Sequence, residues 1–436
     1  MEVNATRIKS SFANLKPKDS WSFRTVARGE MHAHTHGYHR YPAKFIPQLV
    51  QQLIRKYAPK GNEIICDPFG GCGTTLVEAK ISGHKSIGFD INPIAKLITQ
   101  TKITPISPKI IDKYRVEFLA NHKKAKGKKL NHHQRINYWF DARMVHELDE
   151  IYLGIRDIKN LEVRRFFLCA FSHNLKNCSR WLMKSIKPQI DPKKEMPNPL
   201  ESFLRHLDSM IRKNKEFYEE LKELKNLEVE AVMKRHDSTK TLPLKRNSID
   251  MIITSPPYVT SYEYADLHQL SLLWFGDDPQ HFKKWHKFSN EFNDFRKQFI
   301  GTSYKSARRN FFQSTIAEEV VTALEKVDRS LATDVSNYFF DMRKVFAEMH
   351  RILKPGGKAC VIVGNTNMRG VEILNAEIAA EQMAQLNFKK VAFIKRNILN
   401  KLITSWRDKN TGKFTSLDNP DKKTLYGCEY IIIMEK

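Results

Sequence analysis

No run of about 18 uninterrupted apolar residues occurs in the chain, so a membrane-spanning helix is not expected. The opening residues, MEVNATRIKSSFANLKPKDS, hold no apolar signal core and no small-residue cleavage site, so a cytoplasmic location is expected. Cysteine is sparse: Cys66, Cys72, Cys169, Cys178, Cys360 and Cys428 are all there are, and none forms a C-x-x-C pair. Neither a zinc site nor a disulfide framework is therefore indicated, and reduced thiols are expected. No G-K-[ST] follows a glycine turn, which excludes a P-loop. Acids are also few, 48 Asp+Glu against 73 Lys+Arg, which gives a formal charge of +25. Such an excess favours polyanions, because each neutralised phosphate releases condensed counterions. Charge alone does not separate DNA from RNA or from an acidic membrane surface.

What is present is a repeated pattern of strand and turn. Four short apolar segments have the character of buried parallel strands: 63–66 before DPFGG, 85–89 before DINP, 249–254 before SPPY and 358–363 before GNT. Residues 75–81 have a helical pattern that Gly83 closes. Residues 336–353 make an amphipathic helix that stops at KPGG, and 390–394 and 429–434 are expected to close the sheet as a pair. Strands alternating with helices predict an open α/β sheet that holds ligands at the carboxyl ends of its strands. Two stretches break the alternation and are read as insertions on the sheet. Residues 103–230 are mostly helical in pattern and rich in charge; 259–335 mix aromatic and basic residues, as in HFKKWHKFSNEFNDFRKQF. That leaves 1–102, 231–258 and 336–436 as the core domain.

The segment CDPFGGCGTT follows the first predicted strand and opens a helix, and its glycines let the backbone turn tightly and approach a ligand. It is not the G-x-G-x-x-G of dinucleotide enzymes. Asp90 closes the next strand, where an acid accepts both hydroxyls of a ribose, so turn and acid together indicate a nucleoside cofactor. DPFGGCGTT resembles the first motif, D-P-F-x-G-x-G-T, of the amino-methylating DNA methyltransferases. The resemblance implies a Rossmann-like sheet with a helical insertion and S-adenosylmethionine as cofactor. Asp67, Pro68, Phe69, Gly71, Gly73, Thr74 and Asp90 would then bind it, with Gly71 and Gly73 turning around its methionine part. HRYPAKF (39–45) is similar to the tenth motif of the family, which implies cofactor contacts for Tyr41, Pro42, Lys44 and Phe45. RHDS (235–238) resembles the third motif, where an acid, here Asp237, meets the adenine amino group; His236 departs from the usual glycine. LKPGG (353–357) matches a later structural motif. The resemblance covers the sheet core and leaves both insertions unmatched.

TSPPY (254–258) ends a predicted strand. Paired prolines make a stiff turn that donates no backbone hydrogen bonds, so its carbonyls are free to accept. An exocyclic NH2 carries two donors. Accepting them at Ser255 and at the Pro256 carbonyl would localise the nitrogen lone pair for attack on a methyl group, with no strong general base required. Pro257 stiffens the turn, and Tyr258 offers a ring face for an extruded base. In the family that DPFGGCGTT resembles, T/S-S-P-P-Y leans towards cytosine N4 and D-P-P-Y towards adenine N6. Methylation at cytosine C5 needs a thiolate, and no Pro-Cys dipeptide occurs.

Double-stranded DNA is thus the expected partner, with a cognate restriction endonuclease a natural companion and no membrane involved. Lys123, Lys124, Lys126, Lys128, Lys129 and Arg135, in a run with many bases and no acids, are candidates for phosphate contacts. Arg180 and Lys184, interleaved with Trp181 in 174–187, are a second set, against the alternative of an ordinary amphipathic helix. The order of motifs (tenth, first, fourth) resembles the subgroup that places target recognition between the first and fourth, which favours 103–230; 259–335 is the rival. Tyr262, Glu263, Tyr264 and Asp266 stand close enough to SPPY to line a base pocket. His32, His34, His36 and His39 lack a completing ligand set, so no metal is expected. The other readings are DNA adenine-N6 methylation, an RNA amino methyltransferase, and a DNA-binding protein that kept the fold and lost the chemistry.

Overall fold

Runs of isoleucine and valine without alternating polar residues suit strands covered on both faces. β1 (Ile65–Asp67), β2 (Ser86–Asp90), β3 (Ala231–Arg235), β4 (Ile249–Thr254), β5 (Leu353–Val363), β6 (Lys389–Asn397) and β7 (Cys428–Glu435) form one seven-stranded sheet. Its order is β3-β2-β1-β4-β5-β7-β6. The pairings from β3 to β5 are parallel, and β7 runs antiparallel between β5 and β6. This is the open α/β sheet that the strand pattern implied, mostly parallel and of the Rossmann-like kind that the resemblance implied. Strand order reverses between β1 and β4, and in open sheets of this kind the crevice for ligands opens there, at the carboxyl ends. The computed structural model describes residues 4–27, 29–42, 44–259, 263–275, 288–306, 313–398, 406–408, 415, 418–424 and 427–436. Tyr262 and the 281–287 part of the aromatic and basic stretch lie outside them.

β4 has the bounds that its apolar run suggests, whereas β5 begins earlier and takes in LKPGG, bending at Gly356 with φ 77°. Helices α1 (Thr74–Ile81) and α2 (Pro93–Ile103) follow β1 and β2. Between α2 and β3 the chain adds α3 (Pro108–Ala125), α4 (Ile136–Trp139), α5 (Ala142–Arg156), α6 (Leu161–Cys178) and α7 (Pro199–Glu223). After β4 it returns to this helical layer as α8 (Gln269–Phe275), buried throughout, and α9 (Phe288–Lys297). Helix α10 (Arg329–Ile352) starts before the apolar stripe that marks it, because Asp328 caps it by accepting from the Leu331 amide at 3.0 Å.

One hydrophobic cluster joins α2 to α8 and includes Phe292, Phe295 and Phe299. A second lies on one face of the sheet, where Ile252, Val361 and Ile432 meet Val345, Phe346 and Met349 of α10. The stretch after β4 divides between them: Trp274 and Phe299 join the helical layer, whereas Ile316, Val320 and Leu324 join the sheet core. Residues 174–187 are not one amphipathic helix. α6 ends at Cys178, and Trp181 turns inward to stack on Trp139 at 5.0 Å. Among the described residues no helix is long and apolar enough to cross a membrane.

Phe171 on α6 ties the helical layer together, with Tyr152, Trp274 and Phe275 at ring distances of 5.6, 5.7 and 6.1 Å. Phe171→Ala is expected to cost about 3–5 kcal/mol in urea denaturation, the range for removing a buried phenyl ring. A loss under roughly 1 kcal/mol would show that α8 is held to α6 by something else.

Candidate active site

The site begins with two neighbouring strands. Ile65 pairs with Met251 and Cys66 with Ile252, so β1 and β4 end side by side. Just there the Thr254 hydroxyl donates to Asp67 Oδ1 at 2.6 Å, and the Phe69 amide donates to the same oxygen at 3.0 Å. The DPFGG turn then bends over the end of β2. The Gly71 amide donates to Asp90 Oδ2 at 3.0 Å, and the Asn92 amide to Asp90 Oδ1 at 2.8 Å. Gly71 has φ 48°, and a Cβ there would lie 3.4 Å from the Tyr41 ring. That is ordinary contact, so glycine is required there for the left-handed backbone of the turn and not for space beside Tyr41. Gly73 serves differently. With φ 78° and a would-be Cβ 2.6 Å from Thr99 Cγ2, it lets the turn dock on α2, where Thr99 donates to the Gly71 carbonyl at 2.8 Å. It is not among the residues that line the cleft, and the close approach of Thr99 is one reason for glycine there.

Tyr41, Pro42, Lys44, Phe45, Asp67, Pro68, Phe69, Gly71, Thr74, Asp90 and Asp237 line one open cleft together with Ser255, Pro256, Pro257 and Tyr258. Residues drawn from five separate stretches of sequence thus meet. Ser238 Oγ donates to the Pro68 carbonyl at 2.5 Å and clamps the 235–238 turn onto DPF, while Asp237 Oδ1 accepts from the Thr239 amide and hydroxyl at 2.9 and 2.7 Å. His236, where glycine is usual, donates its amide to the Asp90 carbonyl at 3.0 Å and packs its ring on Phe89. Lys44 Nζ donates to the His36 carbonyl at 3.0 Å, and burial pushes its ammonium down to about 8. The Tyr258 amide donates to the Tyr264 hydroxyl at 3.2 Å.

Burial dominates the electrostatics. It raises the Asp67 carboxyl to about 6 against the opposing hydrogen bonds from Thr254 and Phe69. It raises Asp90 to about 6 likewise, against those from Asn92 and Gly71. Among the described residues neither acid has a cationic partner within salt-bridge distance. The arrangement offers carboxylate acceptors on one side and, on the other, a stiff proline turn with an aromatic ring.

Tyr264 lines the cleft, whereas Glu263 binds Thr302 and Ser303, and Asp266 binds Arg296. Gln298, Phe299 and Ile300 also reach the cleft, and sequence reasoning misses them because they lie some forty residues past SPPY without any local motif. Lys123, Lys124, Lys126, Lys128, Lys129 and Arg135 are exposed or nearly so at the end of α3 and beyond it, Lys184 is exposed and Arg180 half-buried. None of these lines the cleft. The histidines face separate partners: His34 meets Glu220 at 3.0 Å, His36 meets Glu78 at 2.5 Å, and His39 meets Ser172 at 2.9 Å. Among the described residues no three His, Cys, Asp or Glu side chains gather as a metal site.

A family model described as DNA methylase, of N6/N4 type, matches residues 3–101 and 249–436. The chain is 27% identical over 395 residues to the type II methyltransferase M.MvaI of Kocuria varians, spanning 85% of this chain and 86% of that protein. It is 24% identical over 405 residues to the type II methyltransferase M.BsoBI of Geobacillus stearothermophilus, spanning 82% and 79%. The crystal structure of an S-adenosylmethionine-dependent methyltransferase from Methanosarcina mazei aligns at a TM-score of 0.30 and 9% identity, over 91% of this chain and 98% of that one.

A carboxyl raised by burial favours the folded state below its unfolded value near 4, and that contribution is lost as pH rises through about 6. Holding the Asp67 carboxyl at about 6 therefore costs the ligand-free fold roughly 2–3 kcal/mol at pH 8, where the group must be charged. Asp67→Asn keeps an acceptor for Thr254 and Phe69 without the charge. Its melting temperature without ligand is expected to exceed that of the unaltered protein by a few degrees at pH 8, and by only about a third as much at pH 4.5, nearer the unfolded value. An equal gain at both pH values would rule out this electrostatic origin.

Proposed function

The chain belongs to the N6/N4 family of DNA methylases, and we propose from that premise that it methylates the exocyclic N4 of cytosine in duplex DNA. One observation carries the reading: Asp67 and Asp90, on the cofactor side, share a single cleft with Ser255–Tyr258. S-adenosylmethionine fits that cleft. Its ribose hydroxyls and ammonium need anionic acceptors, and the two carboxylates have no cation of their own among the described residues. Asp90 would take the ribose, Asp237 the adenine amino group, and the Gly71 turn with Tyr41, Pro42, Lys44 and Phe45 the methionine end. The cofactor, when bound, supplies an electrophilic methyl on a sulfonium that leaves readily.

The chain's own residues do the rest. The prolines fix the turn after β4, so Ser255 and the Pro256 carbonyl accept the two amino hydrogens and orient the nitrogen lone pair. Tyr258 supports the extruded base by stacking, and its amide is held in turn by the Tyr264 hydroxyl. Apolar walls at Phe69, Phe299 and Ile300 limit water where charge shifts. The proton leaves after transfer, when the methylated nitrogen is acidic, so no strong base is needed beside it. Ser255, where the D-P-P-Y pattern has aspartate, supports cytosine over adenine. The names of M.MvaI and M.BsoBI support a type II restriction–modification role, with a companion endonuclease. Residues 103–230, including the lysines at 123–129 with Arg135, Arg180 and Lys184, are proposed as the DNA-recognition region.

Mass spectrometry of nucleosides from DNA of cells expressing the protein is expected to show N4-methylcytosine, and methylation-sensitive sequencing of the same DNA maps the target. Only N6-methyladenine would overturn the cytosine assignment. In vitro, Tyr258→Ala should lower kcat/KM for DNA by about tenfold or more while cofactor affinity holds, since one base–aromatic stack is worth about 1–3 kcal/mol. Unchanged kinetics would remove Tyr258 from the base site.

A further inference from the structure

A second aromatic surface lies outside the cleft, at the end of the basic run. Helix α4 buries Ile136 and Trp139 to 0% and 1% exposure, and those two anchors leave Tyr138 pointing outward at 49%. The Arg135 guanidinium lies over the Tyr138 ring, 5.3 Å from its centroid. This patch is wired to the cleft through one buried residue. Gln269 Oε1 accepts from Trp139 Nε1 at 3.0 Å and from Arg135 Nε at 3.4 Å. Its neighbour His268 lies 3.1 Å from the Asn92 side chain and 5.2 Å, ring to ring, from Tyr41, both of them cleft residues. The same turn holds a matching pair on its other side. Asp266 grips Arg296 at 2.6 and 3.0 Å, and Arg296 lies 4.8 Å over the ring of Tyr304, which is 38% exposed.

An exposed aromatic ring beneath a guanidinium, at the end of a lysine-rich segment without acids, presents a π face and positive charge together. Duplex DNA has complementary features: phosphates for the arginine and the lysines, and a base face for the ring wherever the stack is opened. Extrusion of a target base opens the stack, and unstacking costs a few kcal/mol. Aromatic or apolar side chains inserted at a base step offset such costs in other protein–DNA complexes. We propose that Tyr138 is a positioning residue that stacks on the duplex beside the extruded nucleotide and so favours the flipped state. Arg135 steadies the ring until a phosphate draws it away. The proposal rests on the reading of the chain as a DNA methylase that extrudes its target.

The test uses the full-length protein and two duplexes holding the target mapped by sequencing, one fully paired and one with an abasic position opposite the target base. Tyr138→Ala is expected to lower kcat/KM on the paired duplex by about tenfold. On the abasic duplex, where the base is already loose, the loss should shrink below roughly threefold. Tyr138→Phe should recover most of the loss, because stacking needs the ring and not the hydroxyl. Equal losses on both duplexes, or none on either, would overturn the proposal; so would a drop in cofactor affinity that accounts for the loss. Failure of the unaltered protein to methylate either duplex would instead remove the methylase reading beneath it.

Discussion

The hydrogen bond from Thr254 to Asp67 marks the constraint on which the rest depends: two parallel strands ending together at the point where strand order reverses. Adjacent strands lie about 4.8 Å apart. Groups carried just past their ends are therefore close enough for atom transfer, which needs reacting atoms roughly 3–3.5 Å apart. Neither loop could supply that spacing alone. DPFGG is pinned by Asp90 and α2, SPPY by its own prolines, and the sheet register sets the distance between them. The connections leaving β1 and β4 diverge at the switch point, so the space above the two ends stays open.

Burial gives the cleft its character and strains the fold in doing so. Asp67 and Asp90 are held near 6 because little solvent reaches them, and their hydrogen bonds come from amides and a hydroxyl. Such donors orient a carboxylate without neutralising it. The result is a pair of hydrogen-bonded carboxylates that have no cation beside them among the described residues. The apolar clusters on both faces of the sheet, and the helical layer beside it, offset that cost.

Much of the fold and the cleft is legible in the sequence because it is local. Strands β1, β2 and β4 announce themselves by apolar runs ended by turns, and the residues that line the cleft from DPFGG, RHDS and SPPY stand directly at those turns. Gly73 shows the limit of a motif. The pattern suggests a ligand contact there, and the fold adds a packing demand from Thr99 of α2, a partner invisible until the chain is folded. Gln298, Phe299 and Ile300 show another limit. They reach the cleft because Phe292, Phe295 and Phe299 anchor their segment in the helical layer, a tertiary fact with no periodic signature. The 174–187 segment mixes both lessons, since Trp181 has the look of a basic, aromatic surface and is in fact stacked on Trp139.

The turn at 266–269 joins the two halves of the molecule. It holds Asn92 and Tyr41 of the cleft lining on one side, and Arg135, Trp139 and Arg296 on the other. Its buried histidine, His268, is pushed down to about 4 by burial and stays neutral across the range where Asp67 and Asp90 change charge. A neutral junction transmits position and adds no titration of its own. Burial places the two carboxylates at about 6, so they contribute to the site's response to pH there, whereas the response to changes in the helical layer is one of geometry. The two effects are separable in the cleft, because a shift in the pH profile and a shift in DNA kinetics have different physical origins.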